Sequence, residues 1–118
     1  MTEAVVSVLL VGTGGAVGAV ARHTVGSAIE GRESVTTVNL VGSFILGVVS
    51  GLPEASSAIL LVGVGFCGAF TTFSSFAVET VTTTESGNPL TAAQFAVVNL
   101  IGAIGTLLLG SLLVSAVL

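Results

Sequence analysis

The sequence predicts an all-α membrane protein of four transmembrane helices, the third broken mid-span, and three observations carry that prediction. Apolar residues make up 53% of the chain and charged residues only 7%, against roughly 25% charged in a globular protein, so there is too little polar surface to cover a water-soluble core. The apolar runs are long: a span needs about 20 such residues, and 118 residues hold four spans with short loops. The runs do not alternate in polarity, as membrane strands of about 10 residues would. The chain therefore reads as a single membrane domain over residues 1–118, in a multi-pass protein of the cell membrane.

Helix one is predicted over about 4–29. It follows Met1-Thr2-Glu3, which lacks a basic residue, and its apolar run is long, so no removable signal peptide is expected. Arg22 and His23 lie near its end, before the polar break Glu30-Gly31-Arg32-Glu33-Ser34. Helix two, about 36–52, stops at Pro53-Glu54. Helix three covers about 56–84, and the turn signal Glu85-Ser86-Gly87-Asn88-Pro89 leads into helix four, about 90–118.

Lipid gives apolar helices no hydrophobic reason to associate, so small residues that admit close backbone approach matter. Gly15 with Ala19, Gly47 with Gly51, and Gly102 with Thr106 are such pairs at i,i+4. Gly12, Gly14 and Gly15 make no dinucleotide fingerprint, because position 17 is Val. Val38-Asn39-Leu40-Val41-Gly42-Ser43-Phe44 faintly echoes Val98-Asn99-Leu100-Ile101-Gly102-Ala103-Ile104, which is at least as compatible with chance as with related roles for helices two and four.

Polar groups inside a bilayer are costly and face a partner or a watery path. Asn39 and Ser43 share one face of helix two, and Asn99 lies inside helix four. They read either as interhelical hydrogen bonding or as the lining of a polar track. In the third run, residues 63–76 gather three glycines, four hydroxyls and four of the six phenylalanines. Glycine and threonine weaken a helix, and a break at membrane depth is tolerated only where the backbone is buried or lines a cavity. Freed carbonyls suit a hard cation, and freed amides and hydroxyls suit an anion. Phe73 and Phe76 share a face; they read as core aromatics or as ring edges turned to an anion.

Arg22 either draws anions into a vestibule or snorkels to the interface, and Glu79 either pairs with it or faces the interface. Cys67 has only His23 as a possible base, and no carboxylate pair, metal cluster or nucleophile–base set exists, so no enzyme is expected. The lone cysteine leaves the redox compartment open. A net charge of −4 without lysine argues against nucleic acid or a polybasic lipid contact as a partner.

The chain resembles the CrcB/Fluc fluoride channels over essentially its whole length. Gly14-Gly15-x-x-Gly18-x-x-x-Arg22 and Asn39-x-x-Gly42-Ser43-Phe44-x-x-Gly47 look like the family's first two motifs. Gly65-Phe66-Cys67-Gly68-x-x-Thr71-Thr72-Phe73-Ser74-Ser75-Phe76, followed by Glu79, is the most specific. The resemblance implies an antiparallel dimer with two fluoride pathways and a central, structural sodium ion on backbone carbonyls, here those of Gly68 and Thr71. It also implies ring edges at Phe73 and Phe76, a pore amide at Asn39, and a vestibule arginine at Arg22. Ser43 and Asn99 complete the expected pathway. Ser34-Val35 stands where the family usually has Gly-Thr, Phe95 where a tyrosine is common, and Asn99 and Ala103 where hydroxyls line helix four.

The expected function is passive fluoride export that lowers its toxicity in the cytoplasm, by a homodimer or a heterodimer with a paralogue. A non-conducting partner subunit is the alternative that the helix-four departures keep. A four-helix cation or drug exporter needs a carboxylate in helix one, and none lies between Ala4 and Ile29. Arg22, His23 and Arg32 gather near the first loop; counting basic residues puts that loop inside, while a dual-topology homodimer or a fixed orientation in a heterodimer are the other readings.

Overall fold

A computed structural model describes residues 1–53 and 56–118. Four helices are long and apolar enough to cross a membrane: α1 (Thr2–Ala28), α2 (Gly31–Gly51), α3 (Ser56–Glu85) and α4 (Pro89–Val117). No strand forms among the described residues. Most large apolar side chains point outward, Val8, Leu9, Val20 and Leu112 among them, as expected of a surface solvated by lipid.

Ile29 and Glu30 alone separate α1 from α2, which opens at Gly31 (φ +68°), ahead of the apolar run that begins at Thr36. The polar residues of the predicted break form its first turn, where Glu33 meets the positive end of the helix dipole. Helix α2 ends at Gly51, before Leu52 and Pro53; Glu54, the other half of the expected stop, lies outside the described residues. Between α3 and α4, Gly87 takes φ +89° and Asn88 N–H donates to the Thr83 carbonyl at 3.1 Å. That is a Schellman stop, and Pro89 then starts α4 where its missing N–H costs nothing.

Helix α3 is not continuous. Ile59–Cys67 is wound as a wide π-helix, Gly68–Phe70 returns to α geometry, and the helix resumes at Ser74–Glu85. Thr71 is extended (φ −80°, ψ 163°). The break thus falls at Thr71-Thr72-Phe73, a little past the Gly68–Thr71 stretch where it was expected, because Gly68 keeps helical angles (φ −60°, ψ −35°). Apart from its two glycines, nothing in the sequence of the π-helical stretch accounts for the widening.

The break divides the packing. Before it, α3 lies mainly on α1; after it, α3 lies mainly on α4, while α2 and α4 pack against each other as extensively as α1 does on α3. Both major contacts are made backbone to backbone. A Cβ at Gly14 would overlap the Leu61 carbonyl, and one at Gly18 the Phe66 carbonyl. At the other crossing a Cβ on Gly47 would overlap the Leu107 carbonyl. The close pair on α1 is therefore Gly14 with Gly18, not Gly15 with Ala19: Ala19 is exposed, and a Cβ on Gly15 would stand 3.8 Å from the Gly65 carbonyl.

Candidate functional site

The site begins with the damage a break does to a helix. In an unbroken α3 the Thr72 N–H would donate to the Gly68 carbonyl and the Ser75 N–H to the Thr71 carbonyl. Both donors are diverted. Thr72 N–H donates to Asn39 Oδ1 at 2.7 Å, and Ser75 N–H donates to Thr72 Oγ1 at 3.0 Å. Asn39 also returns a hydrogen bond, from Nδ2 to the Thr72 carbonyl at 3.1 Å. One carboxamide thus supplies both partners that the buried Thr72 backbone lacks.

Asn39 reaches α4 as well. Its Nδ2 donates to Asn99 Oδ1 at 3.1 Å, and Asn99 Nδ2 donates to the Phe95 carbonyl at 3.0 Å and to Thr36 Oγ1 at 2.9 Å. The two asparagines of the α2–α4 echo therefore meet across the α2–α4 contact, and Asn99 is buried there. Polar side chains bridging helices in this way are the expected glue of a membrane bundle.

Beside this network runs a groove of about 380 Å³. Asn39, Ser43, Gly68, Thr71, Phe73, Phe76 and Asn99 all line it, so residues from α2, α3 and α4 that the sequence singled out share one cavity. Ser43 adds a hydroxyl one turn from Asn39 on the same wall. Phe76 lies between two other rings, with centroids 5.8 Å from Phe73 and 5.5 Å from Phe95. Phe73 leaves 79% of its surface uncovered.

Arg22 stands apart from the groove. Its Nη2 donates to Ser75 Oγ at 2.7 Å, one turn before Glu79. Arg32 makes a parallel brace from α2, with Nη1 donating to the buried Thr83 Oγ1 at 3.2 Å. The Cys67 thiol donates to the Gly42 carbonyl, with Sγ at 3.3 Å. No group of three or more His, Cys, Asp or Glu side chains placed to hold a metal is found among the described residues. In the sequence alone Thr36, Thr72 and Ser75 carry no site role of their own. Thr36 lies three residues before Asn39, a spacing already contained in the predicted helix of about 36–52.

Residues 9–111 match the family model described as CrcB-like protein, Camphor Resistance (CrcB). The chain belongs to the CrcB family. It is 50% identical over 109 residues to a protein of Natronomonas pharaonis named fluoride-specific ion channel FluC 2, covering 91% of this chain and 93% of that one. A FluC 2 of Haloarcula marismortui is 53% identical over 95 residues, covering 77% and 79%. A FluC of Chlorobium chlorochromatii is 38% identical over 120 residues, covering 93% of each chain. These CrcB relatives are named as ion channels, in agreement with the expectation that this chain is no enzyme.

Proposed function

We propose that this protein is a fluoride-specific passive channel of the cell membrane, which lets fluoride leave the cytoplasm and so limits its toxicity. The observation that carries this reading is the groove at the α3 break, where amide, hydroxyl and ring groups from three helices converge. A small, strongly hydrated anion must exchange water for several weak donors, and conduction needs each site to release as well as bind. The hydroxyl of Ser43 and the positive edges of Phe73 and Phe76 are donors of that kind. The names of the CrcB relatives give fluoride as the ion.

A structural sodium ion fits the same break. The Gly68 and Thr71 carbonyls lose their helical donors to Asn39 and Thr72, and both residues line the groove. Hard cations take oxygen ligands, and a buried positive charge would offset the placing of an anion at membrane depth. A dimer fits the open side: Phe73 is 79% uncovered and Gly68 is exposed, so a second copy or a paralogue would complete the site. The numbered names of several relatives keep a paralogue in view.

Arg22 supports a vestibule role by its place near the end of α1, part-buried and fixed by Ser75. One observation favours the second reading, a non-conducting partner subunit: both N–H groups of Asn39 are engaged within the protein. The test is fluoride efflux from liposomes holding the purified protein, with chloride as control. Fluoride without chloride is the expected result. Equal passage of both ions overturns the channel reading, and no flux from the protein alone, restored by a paralogue, establishes the partner reading.

A further inference from the structure

The hydrogen bonds around Asn39 leave no freedom in how its amide is turned. Thr72 N–H is a pure donor and must face Oδ1; the Thr72 carbonyl is a pure acceptor and must face Nδ2. On Asn99 the Phe95 carbonyl likewise requires Nδ2, so Oδ1 is the end left to meet Asn39. An Asn39 side chain has two N–H donors, and the Thr72 carbonyl and Asn99 Oδ1 take both. The Thr72 bond belongs to the break itself. The bond to Asn99 is the one that an incoming ion can replace.

We propose that Asn99 is a positioning residue whose Oδ1 is an internal stand-in for the anion at Asn39, so that an ion reaches the amide only by displacing it. This rests on the channel reading and adds to it a determinant of ion selectivity. Hydrogen bonds to a charged acceptor are roughly twice as strong as those between neutral groups, so a compact anion displaces the neutral carboxamide oxygen and a diffuse one does not. Asn99 is held by Thr36 and Phe95 throughout, which makes it a spring-loaded competitor that returns when the ion leaves. Binding at Asn39 is thereby kept weak.

The experiment measures flux against fluoride concentration in liposomes for the wild type, N99S and N99A. Serine can turn its hydroxyl back to the Phe95 carbonyl, as Thr80 does to Phe76, and alanine leaves nothing at the amide. Both variants should lower the half-saturating fluoride concentration by about fivefold, the worth of one net hydrogen bond, and admit more chloride. A purely structural Asn99 would lower the maximal flux and leave half-saturation alone; an unchanged or raised value in either variant overturns the proposal. The wild type gives an independent reading that needs no conduction. Sodium fluoride titrated against the side-chain amide resonances should shift Asn39 and Asn99 together, and a shift of Asn39 alone, or of neither, overturns it. No fluoride flux from the wild type would defeat the channel reading, while the paired shift would still decide the role of Asn99.

Discussion

The carboxamide of Asn39 holds both backbone polar groups of Thr72, accepting from its N–H at 2.7 Å and donating to its carbonyl at 3.1 Å. A residue in the break of a membrane helix is thereby given, from another helix, the hydrogen bonds its own helix withholds. Thr72 is 6% exposed, so losing these partners leaves a buried amide unsatisfied. Asn39→Ala is expected to cost about 3 kcal/mol, two net bonds plus the desolvated N–H, read as a lower melting temperature in detergent. An unchanged melting temperature would mean that the break is held by something else.

Gly18 tests the backbone contact of α1 with α3. A Cβ there meets the Phe66 carbonyl, whereas Gly12 has open space around it. Gly18→Ala should destabilise the protein by about 1–3 kcal/mol, the usual range for overpacking, and Gly12→Ala should be neutral or slightly stabilising. Thermal unfolding of the two variants side by side checks the difference.

Phe73 and Phe76 should separate function from stability. Phe73→Ile removes an exposed ring and one aromatic pair, with Phe76 at 5.8 Å, and is expected to cut fluoride flux while losing about 0.5–1.5 kcal/mol. Phe76 pairs with both Phe73 and Phe95, so Phe76→Ile should lose flux and roughly twice that stability. Unchanged flux in both variants would remove the ring edges from the pathway.

Sodium is tested by replacing it with an organic cation, which should abolish flux while leaving the helical signal intact; full activity without sodium would refute the assignment to Gly68 and Thr71. Gly68→Ala sharpens the test. Its Cβ would touch nothing within 4 Å in the single subunit, and the gain in helix propensity is up to about 1 kcal/mol. The variant should fold at least as well as the wild type, yet lose flux where a partner's surface crowds that position.

The four helices were legible because hydropathy is a property of long windows, and a broken third helix because residues 63–76 concentrate helix-weakening types. The position of the break was not. Glycine permits a helix to fail without requiring it, and Gly68 stays helical; the failure comes at Thr72 because a side chain 33 residues earlier in sequence reaches it. No local pattern encodes that distance. The choice of Gly14 and Gly18 over Gly15 and Ala19 was hidden for a different reason: α1 is apolar on all sides, so the sequence gives no phase for the buried face. Asn39 and Asn99 were visible as costly polar groups, but that they spend their hydrogen bonds on each other depends on the crossing of α2 and α4.

The two arginine braces have a consequence for how the chain enters the bilayer. Arg22 and Arg32 are the only arginines present, and lysine is absent. Both are tied to hydroxyls of α3, at Ser75 and Thr83. The charges that insertion machinery would weigh are thus also internal fastenings between the first loop and a helix synthesised later. Deleting either one alters topology signal and tertiary structure together, so its effect on orientation has no single meaning. Adding lysines near the amino terminus changes the signal alone.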